Sequence, residues 1–257
     1  MITGIVRPTV VLLVSLLAVG ALSPVTAETT WRPKTRPAIR WSHEREGSVS
    51  FAVKDTKGRL HGHRAATTVH MASTLKVMFM VAYLRRASVR GRKLRASDKS
   101  LLRPMIRWSD NDTATRIADL LGPRPMYRLA RKAKMKDFSF TRPWGLSSSS
   151  ARDQARFMFK LERYIPKRHR GYARWLLAHI VKRQRWGIGD LRTRPWRKFF
   201  KGGWGSGTGA VNHQIVLLEH KDGTRTALAV MTTNSPSHAY GKRTLKGVFA
   251  RLLRNLP

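Results

Sequence analysis

Ser73 and Lys76, in His70-Met71-Ala72-Ser73-Thr74-Leu75-Lys76, are the one place in the chain where a serine stands three residues before a lysine. On a helix those two positions share a face. A serine hydroxyl is a poor nucleophile without a neighbouring base. A lysine can be that base if burial and nearby positive charge lower its pKa. At a helix N-terminus, backbone N–H groups and the helix dipole would also stabilise negative charge developing on a substrate. Read alone, the same spacing describes a capping serine before a surface lysine, which a basic chain produces often.

Two further clusters could complete such a site. Ser109-Asp110-Asn111 follows Met105-Ile106-Arg107-Trp108. Its hydroxyl could relay a proton between Lys76 and a leaving nitrogen, and Asn111 could hydrogen-bond a substrate amide carbonyl. The same residues also make ordinary helix caps and turns. Lys201-Gly202-Gly203-Trp204 comes after the helical part of the chain. There Lys201 could attract a substrate carboxylate, and glycines would let a ligand lie close to the backbone. The Trp204 N–H could join that of Ser73 as an oxyanion hole. The plain alternative is a surface lysine before a turn.

Taken in order, Ser73/Lys76, Ser109–Asn111 and Lys201–Gly203 resemble the signature of class A β-lactamases and penicillin-binding proteins. Trp108-Ser109-Asp110-Asn111-Asp112-Thr113-Ala114-Thr115 is similar to that family's loop and following helix. Gln184-Arg185-Trp186-Gly187-Ile188 and Lys201–Trp204 resemble a branch of actinobacterial secreted serine hydrolases. The resemblance covers residues 43–253. It implies a sheet flanked by helices, an all-helical lobe and a site between them, where a β-lactam or a D-alanyl peptide acylates Ser73. It implies that Lys76 activates Ser73 and Ser109 relays the proton. Asn111, Lys201 and Gly203 would line the substrate, and Trp204 would contribute an N–H.

Three departures stand out. The usual Lys-Thr-Gly reads Lys-Gly-Gly, so Gly202 offers no hydroxyl to a substrate carboxylate. Ser73 and Ser109 are close in sequence, which predicts a trimmed helical lobe. Class A enzymes carry a deacylating Glu before the serine-rich turn. Here residues 137–150 contain no Glu, and Asp137 is their only acid.

The elements that must position these residues follow from periodicity. Residues 48–54 alternate as a strand, 55–58 turn, and 59–64 return as a hairpin. Helical spacing covers 74–86, 101–108, 112–121, 125–133, 151–161 and 171–182, with 138–150 read as a loop. Strand signals resume at 197–201, leading into a glycine-rich turn, and at 211–219 and 224–232 around a His220–Gly223 turn. A helix near 242–253 ends the chain. The predicted fold class is α/β (α+β): an antiparallel sheet built from both ends of the chain, flanked by helices, with a helical lobe inserted.

Residues 1–27 have a cation at Arg7, an apolar run and small residues up to Ala27, the layout of a secretory signal peptide. Residues 28–42, with two prolines, read as an extended leader, and 43–257 as one hydrolase domain. A secreted, monomeric protein of the cell envelope is expected. The chain has no cysteine, so thiolate zinc sites and disulfides are excluded. No cofactor or metal is expected. His61, His63 and His70 lack a carboxylate at ligand spacing. Gly205-Ser206-Gly207-Thr208-Gly209-Ala210 matches a loose dinucleotide pattern, but a strand rather than a helix follows it.

The net charge is +37, from 51 Lys+Arg against 14 Asp+Glu. Such a field favours anionic partners, cell-wall polymers among them, without choosing one. The basic aromatic stretches 192–200 and 163–174 could bind nucleic acid or lipid, or could be solvated cationic faces. No specific nucleic-acid partner is expected. The rivals to a β-lactamase-type enzyme are a D,D-peptidase or slow penicillin-binding protein, and a cationic polyanion-binding or scaffold protein without chemistry.

Overall fold

The computed structural model describes residues 1, 2, 4 and 31–257. The signal-peptide segment expected over 1–27 therefore lies almost wholly outside the described residues. In chain order the elements are α1 (Thr35–His43), β1 (Ser48–Lys54), β2 (Leu60–His63), β3 (Thr68–His70), α2 (Leu75–Leu84) and α3 (Ala87–Arg90). Then come α4 (Ala96–Arg107), α5 (Asn111–Leu121), α6 (Pro123–Ala133), β4 (Ser148–Ser150), α7 (Ala151–Phe159), α8 (Leu161–Tyr164) and α9 (Arg170–Ala178). Strands β5 (Arg197–Gly205), β6 (Val211–Glu219) and β7 (Arg225–Thr233) and helix α10 (His238–Leu252) complete the chain.

Five strands form one antiparallel sheet in the order β2-β1-β7-β6-β5. The N-terminal hairpin thus joins the C-terminal strands through β1 and β7, as the sequence predicted. β6 and β7 are buried nearly end to end, so helices cover both faces of the sheet. α7 packs on β1, β6 and β7, while α1 and α10 pack on each other and against the sheet. The lobe gathers α4, α5 and α6 around α2, every residue of which is buried. A helix apolar all round belongs at the centre of a lobe. Among the described residues, no helix is long and apolar enough to cross a membrane.

Three local expectations are corrected. The leader read as extended over 28–42 contains α1, whose Trp41 indole N–H donates to Thr244 O on α10 at 3.1 Å. Pro37 does not oppose this helix, because N–H groups of the first turn have no helical acceptor to lose. The serine run read as loop forms β4, paired with β3 through Thr68↔Ser150, Val69↔Ser149 and His70↔Ser148. β5 does not stop at Lys201 but continues through Gly205, carrying all of Lys201–Trp204 in register with β6.

Candidate active site

Ser73 lies in a 3-10 turn, Ala72–Thr74, that runs directly into α2. Ala72 takes φ 45°. Left-handed backbone at a residue with a Cβ costs about 1–2 kcal/mol, so its neighbours must hold it. The Met71 N–H donates to Ser147 O at 2.7 Å, and Thr74 Oγ1 donates to Met71 O at 2.7 Å. His213, on β6, supplies the third tie. The Thr232 N–H donates to His213 Nδ1 at 3.1 Å, which leaves the ring proton on Nε2 to donate to His70 O at 2.8 Å. Burial pushes the His213 pKa down to about 4, so the ring is neutral and this tautomer is fixed. The sequence did not mark His213, because its partner is remote in the chain.

Lys76 is fully buried one helical turn beyond Ser73. Its Nζ donates to Ser109 O at 2.6 Å and to Asn111 Oδ1 at 2.8 Å, with a longer contact to Ser109 Oγ at 3.4 Å. The hydrogen bonds of Lys76 go to the Ser109–Asn111 loop, whereas the sequence placed its amine beside the Ser73 hydroxyl. Burial lowers its pKa to about 7, against a smaller opposing pull from Asp110. That carboxylate is committed elsewhere, capping α5 through the Thr113 N–H and hydroxyl at 2.8 and 2.7 Å. Ser109 itself has φ 62°, a second left-handed non-glycine residue in the site. Strain at both the Ser73 turn and Ser109 fits a constellation held in place by its surroundings.

Lys201 reaches Ser109 from the sheet side. Its Nζ donates to Ser109 Oγ at 2.9 Å and to Gly202 O at 2.6 Å. Complete burial, with the charge of Lys76 adding to it, drives the Lys201 pKa well down. These bonds make Lys201 a holder of Ser109, a role beyond the substrate contact expected of it. Two amines thus approach one hydroxyl oxygen. Ser109 Oγ accepts from Lys201, so its own proton is free to point into the cleft.

β5 packs against the Ser73 turn. A Cβ on Gly203 would lie 2.8 Å from both the Ser73 and Thr74 nitrogens, so only glycine lets the strand pass this close. Trp204 follows at once on that stretch of strand. Its side chain is 51% exposed and stacks on His238, with ring centroids 4.4 Å apart. The missing hydroxyl at Gly202 also has a structural reason. A Cβ there would lie 2.6 Å from the Trp186 ring, which fills the space. Gln214 fixes the Trp186 segment by donating to Trp186 O at 2.6 Å and accepting from the Ile188 N–H at 2.9 Å.

Among the described residues, no carboxylate hydrogen-bonds the side chain of Lys76 or Ser109. Asp137, the only acid in residues 137–150, accepts from Ser150 Oγ at 2.5 Å and from Arg152 at 3.0 and 2.8 Å. The Lys76 ammonium instead faces the Trp144 ring, 5.0 Å from its centroid. Trp144 donates to Thr115 Oγ1 at 3.1 Å and packs edge-on against Phe79. His61, weighed as a metal ligand, bonds Asp55 at 2.9 Å. Among the described residues, no three His, Cys, Asp or Glu side chains are grouped to hold a metal.

Comparison with known proteins follows this geometry. The Beta-lactamase enzyme family matches residues 90–255, a stretch that begins after Ser73 and Lys76. A β-lactamase from Sphaerobacter thermophilus superposes with a TM-score of 0.73 at 19% identity, covering 86% of this chain and 96% of that one. A class A β-lactamase from Mycobacterium abscessus gives a TM-score of 0.72 at 19% identity, covering 85% and 97%. The structure of PBP-A gives 0.70 at 16% identity, covering 88% and 97%. These structural likenesses establish the fold. No curated protein matches the sequence. With its sheet, helical lobe and the family match over most of its length, the chain belongs to the Beta-lactamase enzyme family.

Proposed function

We propose that this protein is an exported serine hydrolase that forms an acyl-enzyme at Ser73 with a β-lactam or a D-alanyl peptide and releases it slowly. The observation that carries this reading is the buried Lys76 amine, with its pKa near 7, linked to Ser109 and Asn111 one turn from Ser73. A lysine neutral at physiological pH can take the Ser73 proton as Oγ attacks the acyl carbon. The new C–O bond pushes the carbonyl electrons onto oxygen, where the Ser73 and Trp204 N–H groups would meet them. Ser109, held through its oxygen by Lys201, would pass its proton to the leaving nitrogen and regain one from Lys76. The C–N bond then breaks, and Asn111 would steady the acyl amide.

Release is the slow half. Hydrolysis needs a base for the attacking water, and the Lys76 amine is bonded to Ser109 and Asn111 and faces the Trp144 ring rather than a carboxylate. This favours behaviour of the penicillin-binding or peptidase kind over rapid β-lactam turnover. The residue 1–27 leader supports export, and the D-alanyl peptide class is consistent with a site outside the cytoplasm.

Intact mass, followed over time after mixing the protein with a fluorescent penicillin, tests the reading. The expected result is a persistent one-to-one adduct that maps to Ser73 and is absent from a folded Ser73→Ala variant. A short-lived adduct with hydrolysed drug would overturn slow release. An adduct that survives Ser73→Ala would move the nucleophile elsewhere, and no adduct with any β-lactam or D-alanyl thioester would end the acyl-enzyme reading.

A further inference from the structure

The basic stretch 192–200, which the acyl-transfer site does not use, lines a groove of its own. Residues of the α9 C-terminus, Arg185 and the 189–200 segment enclose about 750 Å³. Five cations stand in its walls: Arg185, Arg192, Arg194, Arg197 and Lys198, and no Asp or Glu does. Asp190, the nearest acid in sequence, lies outside the lining.

The groove is built rather than incidental. Lys198 Nζ donates to the carbonyls of Leu191, Ile188 and Gly189 at 2.7, 3.3 and 3.3 Å, pinning one wall to β5. Arg185 Nε donates to Ile180 O at 2.6 Å and holds the other. Trp196, whose indole N–H donates to the Pro257 carbonyl, fixes the bend between them. Among the described residues, Arg192, Arg194 and Arg197 have no ion pair or side-chain hydrogen bond, although the Arg197 guanidinium lies 5.5 Å from the Phe199 ring centroid, while carboxylates elsewhere hold Arg92, Arg152, Arg174 and Arg225. Three guanidiniums are therefore free to bind phosphate oxygens bidentately.

We infer that this groove binds a linear phosphodiester polymer with an uncharged polyol backbone. Single-stranded nucleic acid also carries phosphodiesters, but its general binders offer exposed rings on which bases stack. Here Phe200 and Trp196 are 3% and 5% exposed, and the one exposed ring in the lining, the His179 imidazole, already has a face covered by Trp175, with ring centroids 5.0 Å apart. Five cations against one half-covered imidazole make charge, rather than ring stacking, the dominant feature of the groove. Its volume suits several repeat units rather than one isolated phosphate. The site is independent of the chemistry at Ser73.

The test must separate this groove from the diffuse field of a chain at +37. Fluorescently labelled poly(glycerol phosphate) is titrated with wild type, with the triple variant Arg192→Gln/Arg194→Gln/Arg197→Gln, and with a control triple. The control, Arg124→Gln/Arg128→Gln/Arg131→Gln on the exposed face of α6, removes the same charge. The groove variant should bind at least about tenfold more weakly and lose roughly two to three units of the log–log salt slope, whereas the control changes affinity less than about twofold. Equal losses in both triples, or none in the groove triple, would overturn the inference. So would tighter binding of oligo(dT) than of poly(glycerol phosphate) at matched salt and phosphate number. Unchanged penicillin acylation and melting temperature in the groove triple show that its fold is intact.

Discussion

The pH dependence of acylation is the sharpest consequence of the buried lysine. With a pKa of about 7, Lys76 is half neutral at pH 7. At its ordinary value of 10.5 the neutral fraction there would be about 3 in 10,000. Burial thus raises the population of the base form at pH 7 by roughly three orders of magnitude, offset in part because a weaker base takes a proton less readily. The rate of adduct formation with a fluorescent penicillin, measured by stopped flow from pH 5 to 9, should climb about tenfold per unit at low pH. It should bend near pH 7 and level above it. Lys76→Met, which keeps the bulk but removes the amine, should slow acylation by about a hundredfold or more and abolish the bend. A flat profile, an inflection only near pH 10, or a Lys76→Met variant within tenfold of wild type would refute the assignment of Lys76 as base.

The two glycines of β5 should fail for different reasons. Gly203→Ala forces a methyl to 2.8 Å from two backbone nitrogens and should slow acylation at least about a hundredfold. Gly202→Thr meets Trp186 and should lower the melting temperature, with Trp186→Ala in the same chain restoring part of the loss. His213 sets an acid limit on stability. Its pKa falls from 6.5 unfolded to about 4 folded, so the unfolded chain binds the proton first as pH drops. Stability present above pH 6.5 is lost progressively down to about pH 4, by about 3 kcal/mol in chemical denaturation, and His213→Gln should flatten that part of the curve. Finally, Trp144→Glu puts a carboxylate about 5 Å from the Lys76 amine, taking the present ring as a guide. At an effective dielectric near 20 that favours the ammonium by about 3 kcal/mol, so the acylation inflection should move up by about two pH units; no movement in a folded variant would contradict the electrostatic account.

Much of this arrangement was legible in the residues. Ser73, Lys76, Ser109, Asn111, Lys201 and Gly203 converge because each motif sits where its local pattern places it: a helix start, an inter-helix loop and a strand. β6 runs over the residues that its β-rich pattern marked, since a strand buried on both faces is a continuous apolar run bounded by turns. What escaped depends on distant partners. β4 is a strand only because β3 pairs with it, and serines alone carry turn chemistry. α1 was hidden by Pro33 just before it and Pro37 in its first turn, both of which a helix start tolerates. The contacts of Trp186, Trp144 and His213 could not be read, because a ring under a strand, a ring over an amine and a tie to a carbonyl are relations between remote segments.

The absence of an acid beside Lys76 links the two halves of the chemistry. A carboxylate placed to activate water would also stabilise the lysine ammonium and withdraw the base that acylation needs, unless a further group compensated. Here burial meets only a smaller opposing pull from Asp110, which is turned to its cap, and Trp144 presents a ring where an acid would compete. The site is therefore tuned toward a neutral lysine at pH 7 and a ready first step. The same features leave the ester at Ser73 without a second base. In that mechanism Lys76 would be neutral again once its proton had gone to the leaving group and could activate water, but its hydrogen bonds run to Ser109 and Asn111. On the proposed mechanism, fast acylation and slow release would be two results of one electrostatic choice, and changing Trp144 to an acid should trade the first against the second.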